Sequence, residues 1–196
     1  MATVIDPAIG PREAIMDAAM HLFGKQGYSG TSMRDIASAV GVLPGSLYAH
    51  IASKEALLVE IVDDGIHRFL AAVRPHVESD VTPSEKLRSM VIAHLAVVAD
   101  NPERSLVVFH QWRFLGEGNI QTAIGKRRDY EQAFIGVIDD GIKSGAFRAN
   151  LNRRIAVLTI LGALNWTPEW LSPDGTLSPE EVGGVIADTL LMGVRG

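Results

Sequence analysis

Apolar residues recur with a helical period along nearly the whole chain. Ile15, Ala18, Ala19, Leu22 and Phe23 fall at i, i+3, i+4, i+7 and i+8, a single stripe that Gly27 is placed to end. Ile36, Ala37 and Val40 predict a second helix, capped by Thr31 or Ser32 and closed by Gly41. A short segment follows at 44–50. Ser53 then caps a long helix with the stripe Leu57, Leu58, Ile61, Val62, Phe69, Leu70 and Val73, which Pro75 is expected to interrupt.

Beyond it, "VTPSEKL" places Thr82 as a cap, Pro83 at the first helical position and Glu85 at the third, a capping box for a helix reaching about Asp100. Pro102 opens "PERSLVVFHQWRFL". Further helices are predicted over 119–144, ending near Gly145, from Arg153 to about Trp166, and from a Ser178 cap to about Met192. The stretch "SPDGTLSP" reads as a loop, and no run alternates long enough to demand a strand. The pattern predicts an all-α chain of about nine helices. It divides into a three-helix unit within 1–52 and a larger helical body at 53–196, with the helix from 53 to 74 belonging partly to each.

The segment at 44–50 is too short to hold itself together as a helix. Two helices joined by a tight Gly-containing turn, the second short and polar outside, match a helix-turn-helix, whose second helix enters a major groove. In that arrangement Val42, Leu47 and Ile51 fasten the inner face. Small groups at Pro44, Gly45 and Ser46 allow close approach to base edges. Tyr48, His50 and Lys54, with the first amides of the following helix, can donate to phosphates. On spacing alone, a plain Gly-rich link and a DNA-reading segment both remain open.

Composition narrows the classes. The chain has 196 residues, 47% hydrophobic and 21% charged, which suits a globular domain with a real core. It has no cysteine, so disulfides and thiolate metal sites are absent, as suits a reducing cytoplasm. "MATVIDPAIGPRE" lacks the make-up of a signal peptide, and no apolar run is long enough for a membrane span. The net charge of −5 weighs mildly against non-specific nucleic-acid binding, although Arg12, Lys25, Arg34 and Lys54 bring residues 1–54 nearer balance. An enzyme is the main rival class. The six histidines form no i, i+4 pair, and there is no carboxylate cluster of metal spacing, phosphate loop or serine elbow. No catalytic residue, metal or cofactor is therefore expected.

The stretch "AIMDAAMHLFGKQGYSGTSMRDIASAVGVLPGSLYAHIASKEALL" resembles the N-terminal domain of the TetR family of bacterial transcriptional repressors. The A-x-x-L-F-x-x-x-G-Y start, T-S-M-R-D-I-A, G-S-L-Y-x-H and S-K-E-A-L coincide in order over about 45 residues, and jointly they are specific. The resemblance implies a homodimer on palindromic double-stranded operator DNA, with heads spaced about 34 Å or a multiple apart, and a body that binds a small-molecule effector. It implies DNA contacts from Thr31, Ser32 and Arg34, from Pro44, Gly45 and Ser46, and from Tyr48, His50 and Lys54. Two departures stand out: Leu43 where many members place a Ser or Thr cap, and Ile51 in place of the usual Phe. A helical interaction module with a head that no longer binds DNA is the other alternative; the retained Arg34, Tyr48, His50 and Lys54 weigh against it.

The effector site has to be argued from lining residues. Phe109, His110, Trp112 and Arg113 put aromatic and cationic groups on one helix, Tyr130 and Phe134 on the next, and Asn165, Trp166 and Trp170 follow. Aromatics at helical spacing also suit an ordinary core. A buried Arg113 would need an anionic partner. "LPGSLYAHIASKE" and "NWTPEWLSPDGTLSPEEV" further resemble the TetR subgroup controlling fatty-acid and sterol-ring catabolism, which implies an acyl-coenzyme A effector. Leu171, Ser172 and Gly162 depart from that subgroup by lacking an aromatic and cations, and a flavonoid-like or drug-like aromatic effector is the alternative. Leu158, Leu161, Leu164, Val185, Ile186 and Leu190, with Gly162, Ala163, Gly183 and Gly184, suit either an intramolecular core or a four-helix dimer interface. The family resemblance implies the dimer.

Overall fold

Helix α1 (Pro11–Gln26) starts on a proline, tolerated where a backbone N–H would have no partner, and ends at Gly27 with φ 81°. It is the first element of the computed structural model, which describes residues 10–172 and 175–194. Helix α2 (Met33–Ala39) is held at its start by a full capping box. Ser32 accepts from the Asp35 amide, while the Asp35 carboxylate accepts from the Ser32 amide. Ser32, not Thr31, is thus the cap. Gly41, at φ 70°, supplies the left-handed turn into α3 (Pro44–Leu47).

Helix α4 (Lys54–Glu78) begins with Ser53 accepting from the Ala56 amide. Pro75 does not interrupt it. It lies in the last turn, where losing one N–H disturbs only the fraying end. The Thr82 capping box opens α5 (Pro83–Asp100) as expected. The segment after Pro102 is not one α-helix: α6 (Pro102–Leu106) gives way to a π turn at Val107–Gln111 and a 3₁₀ turn at Trp112–Phe114. Helix α7 (Glu117–Ser144) starts earlier than its sequence suggests, because Glu55 caps it from 61 residues away by accepting from the Gly116 amide. Helices α8 (Arg153–Asn165) and α9 (Pro179–Val194) complete an all-helical set, with no strand beyond an isolated bridge at Phe147 among the described residues. No described helix is long and apolar enough to cross a membrane.

The chain packs as two units. The first runs up to Gly65 and adds Glu103–Ile124. Its core includes Ala19, Phe23, Ile36, Ala37, Leu47, Leu57 and Leu58, all fully buried. The second comprises Ile66–Pro102 and the chain from Gly125 onward, around Val73, Leu87, Met90, Leu95, Phe134, Ile138 and Leu164. Within it, α9 lies against α5 so closely that a Cβ at Gly183 would stand 3.1 Å from the Ile92 Cα. Gly183 and Gly184, both buried, therefore serve packing inside the protomer, not a partner.

Candidate nucleic-acid interface and effector body

The inner and outer faces of α3 are sharply divided. Leu47 is fully buried and Ile51 nearly so, while Pro44, Gly45, Ser46, Tyr48 and His50 are exposed. Four residues of helix would not persist alone; the two buried side chains and the Ile51 amide bond to the Leu47 carbonyl (2.9 Å) hold them. Tyr48 is 58% exposed although large and aromatic, so its ring is available at the surface. Val42, expected to face inward, is exposed as well. Ser32 and Arg34 are exposed on α2. The Ser32 hydroxyl and amide hold the Asp35 carboxyl below the usual carboxylate range, keeping the cap ionised.

Two of the expected DNA contacts point elsewhere. Thr31 is buried: its hydroxyl donates to the Gly27 carbonyl (2.9 Å) and accepts from the Gln26 amide group (3.3 Å). Lys54 is half-buried. Its Nζ donates to the carbonyls of Tyr28 (2.9 Å) and Thr31 (2.8 Å) and stands 4.1 Å from the centre of the Tyr28 ring. Both residues fasten the turn between α1 and α2. The reason is local: the loop 27–32 has carbonyls without helical partners, and an ammonium at the start of α4 can reach two of them.

The first unit also carries a set of links that its sequence does not announce. Gln111 Oε1 accepts from the Tyr28 amide (2.9 Å), and Phe114 stacks on the Tyr28 ring with centroids 5.8 Å apart. Glu55 accepts from Asn119 and the Gly116 amide, both at 2.9 Å, and these bonds lower its carboxyl's pKa. His21 pairs with Glu103 at 2.7 Å. The segment 103–119 is thereby bonded to α1, to the turn after it and to the first turn of α4.

The expected effector residues divide between the units. Phe109, His110, Trp112 and Arg113 belong to the first. The π and 3₁₀ turns break the α spacing, burying Phe109, half-burying His110 and Trp112 and exposing Arg113. Arg113 has no need of a buried anion: it is solvated, with its guanidinium 5.1 Å from the Trp112 ring. Tyr130, Phe134, Asn165, Trp166 and Trp170 belong to the second unit. Tyr130 and Phe134 are buried in edge-to-face contact, Asn165 is half-buried, and Trp166 and Trp170 lie on the protomer surface, 60% and 49% exposed.

His94 joins this set, although no periodicity argument singled it out. Fully buried on α5, its Nδ1 lies 2.8 Å from the Tyr130 hydroxyl and its ring 4.7 Å from that of Phe69. Burial drives its pKa from 6.5 to about 3, against an opposing hydrogen bond to the Leu164 backbone, so the imidazole is neutral. Burial likewise raises the Tyr130 phenol. A single polar residue in "VIAHLAVV" was the available signal.

Ile155 and Leu158 on α8, Trp166 just past its end, and Val185 and Met192 on α9 are exposed, each between 48% and 79%. Leu161, Ile186 and Leu190 are half-buried. Leu164 is fully buried in the protomer's own core, so its side chain offers nothing to a partner. A groove of about 350 Å³ beside this face is lined by Leu151, Ile155, Thr159, Leu190 and Gly193 among others. Of the tail loop Pro173–Asp174–Gly175, Pro173 and Asp174 lie outside the described residues.

Residues 15–61 match the family described as bacterial regulatory proteins, tetR family, and residues 80–194 the tetracyclin repressor-like C-terminal domain. The HTH-type transcriptional repressor KstR2 of Rhodococcus jostii is 27% identical over 194 residues, covering 94% of this chain and 91% of that one. The structure of the ketosteroid transcriptional regulator KstR2 of Mycobacterium tuberculosis superposes with a TM-score of 0.89 at 24% identity, over 100% of this chain and 98% of the other. AibR, solved in complex with isovaleryl coenzyme A and operator DNA, superposes with a TM-score of 0.80 at 26% identity, over 94% of this chain and 97% of its own.

Proposed function

The chain belongs to the tetR family of bacterial regulatory proteins, and from that premise we propose that it is a dimeric operator-binding repressor released by an acyl-coenzyme A thioester. It is a helix-turn-helix transcriptional regulator. The observation that carries the DNA role is α3 itself: a four-residue helix whose inner side is buried and whose outer residues are all exposed. Base edges fall to Pro44, Gly45 and Ser46, with Ser32 and Arg34 from α2, and phosphates to Tyr48 and His50. Thr31 and Lys54 shape the head from within. In this reading 1–52 is the DNA-binding domain and 53–196 the ligand-binding and dimerisation domain, and the protein works in the cytoplasm beside its operator, without an enzymatic step.

The acyl-coenzyme A class is supported by AibR, which was solved with isovaleryl coenzyme A and operator DNA. Effector contacts are assigned to Phe109, His110, Trp112 and Arg113, and to Tyr130, Phe134, Asn165, Trp166 and Trp170. An effector can shift the protein only through unequal affinity for its two states. The bonds from Gln111 to Tyr28 and from Glu55 to Gly116 and Asn119 give movement of 107–119 a direct route to the head.

Fluorescence anisotropy of the full chain on duplexes selected from a random pool tests the reading. Tyr48→Ala and Arg34→Ala should each weaken binding, Tyr48→Ala about uniformly across sequences and Arg34→Ala with relaxed preference at one base position. Isovaleryl coenzyme A or a longer thioester should release the duplex, and free coenzyme A should not. Equal binding by both variants would contradict the head assignment. Equal release by free coenzyme A would contradict the thioester.

A further inference from the structure

Leu43 is the residue of the head that neither folding nor the contacts above account for. Four positions ahead of the buried Leu47, it would share the inner face if the helical period extended to it. It does not: the backbone at Leu43 is extended, φ −70° and ψ 143°, and the side chain is 78% exposed. It makes no side-chain cap, so it contributes nothing that a Ser at this position would not do better. Val42 and Pro44 beside it are also exposed, giving the entry to α3 an apolar tip.

An apolar tip entering a major groove meets mostly donors and acceptors. The groove offers one apolar group, the C5-methyl of thymine. Resting on the operator-binding reading, we infer that Leu43 is a specificity-determining residue that packs on a thymine methyl in each half-site, selecting T over C, A and G at that position. The small neighbours Pro44, Gly45 and Ser46 leave the start of α3 free to approach DNA, and the exposed Leu43 side chain stands just ahead of it. Its burial against the methyl replaces water on both surfaces.

The test uses the best duplex selected from a random pool by the full-length protein, with each thymine replaced singly by deoxyuridine, which deletes the methyl and leaves every hydrogen-bonding edge intact. One thymine per half-site should respond, with affinity falling about fourfold for one replacement and about fifteenfold for both symmetric ones. In Leu43→Ser, which restores a capping hydroxyl and should fold at least as well, that response should vanish while other positions keep their preferences. Leu43→Ala, without the new hydroxyl, should behave alike. A parent protein indifferent to every deoxyuridine would overturn the inference, and so would a response of equal size in Leu43→Ser. If the parent enriches no duplex at all, operator binding itself fails, a result distinct from either.

Discussion

Lys54 Nζ is the point at which a sequence motif and its physical role part. A lysine beside a reading helix invites a phosphate, but this ammonium already has two carbonyl acceptors and an aromatic face. Hydrogen bonds from a charged donor are worth about 1.5–3 kcal/mol net, and here they fix the turn that sets α2 against α1. Lys54→Ala should therefore lower the urea midpoint by an amount equivalent to about 1–3 kcal/mol, and weaken DNA binding only in proportion to lost fold. His50→Ala, on an exposed side chain, should leave stability within about 0.5 kcal/mol and weaken DNA binding directly. A Lys54→Ala protein as stable as the parent but unable to bind DNA would return the residue to the phosphate list. The motif S-K-E shows that a lysine stands here; which oxygens it meets depends on where the loop 27–32 passes, and no local pattern specifies that.

At the scale of elements, what was readable follows from where the determinants lie. Ser32, Ser53, Thr82 and Ser178 sit three residues ahead of the amides they cap, so those helix starts were legible. The start of α7 was not, because its cap comes from Glu55 on another helix. Nor was the π turn at 107–111, where a register change displaced the side chains that α spacing had grouped. His94 was missed for a related reason: its partner Tyr130 is on α7, 36 residues on. That pair links α5 to α7 and makes a pH prediction. The folded pKa, about 3, lies below the ordinary 6.5, so between these values the unfolded chain binds the extra proton. Stability from this site is complete above pH 6.5 and declines on acidification, with a slope of up to about 1.4 kcal/mol per pH unit. The double variant His94→Phe with Tyr130→Phe removes the group without stranding its partner. Urea midpoints measured from pH 7 to pH 4 should fall less steeply for it than for the parent, and parallel curves would count against a neutral buried imidazole.

For the whole molecule, the question is which surface a second copy covers. The sequence proposes α8 and α9 for it, with residues assigned to faces by type alone. Leu164 and the two glycines of α9 turn inward, while Ile155, Leu158, Trp166, Val185 and Met192 turn out. Five large apolar side chains exposed on two helices and the residue capping one of them are more than an isolated protomer has reason to show. Paired about a two-fold axis they would close a four-helix interface, each residue meeting its symmetry-related neighbourhood. Val185 is 61% exposed, so an aspartate there is free of strain in the protomer yet would bring two buried, unpaired carboxylates together across the axis. Val185→Asp should sediment as a monomer with the helical content of the parent. It should also lose about a hundredfold or more in operator affinity, because two heads tethered in one dimer bind a palindrome with the advantage of a high effective concentration. A protein that stays dimeric with Val185→Asp would move the two-fold axis off this face. One that turns monomeric yet binds the operator undiminished would show that a single head is enough, and that the dimer serves something other than reading DNA.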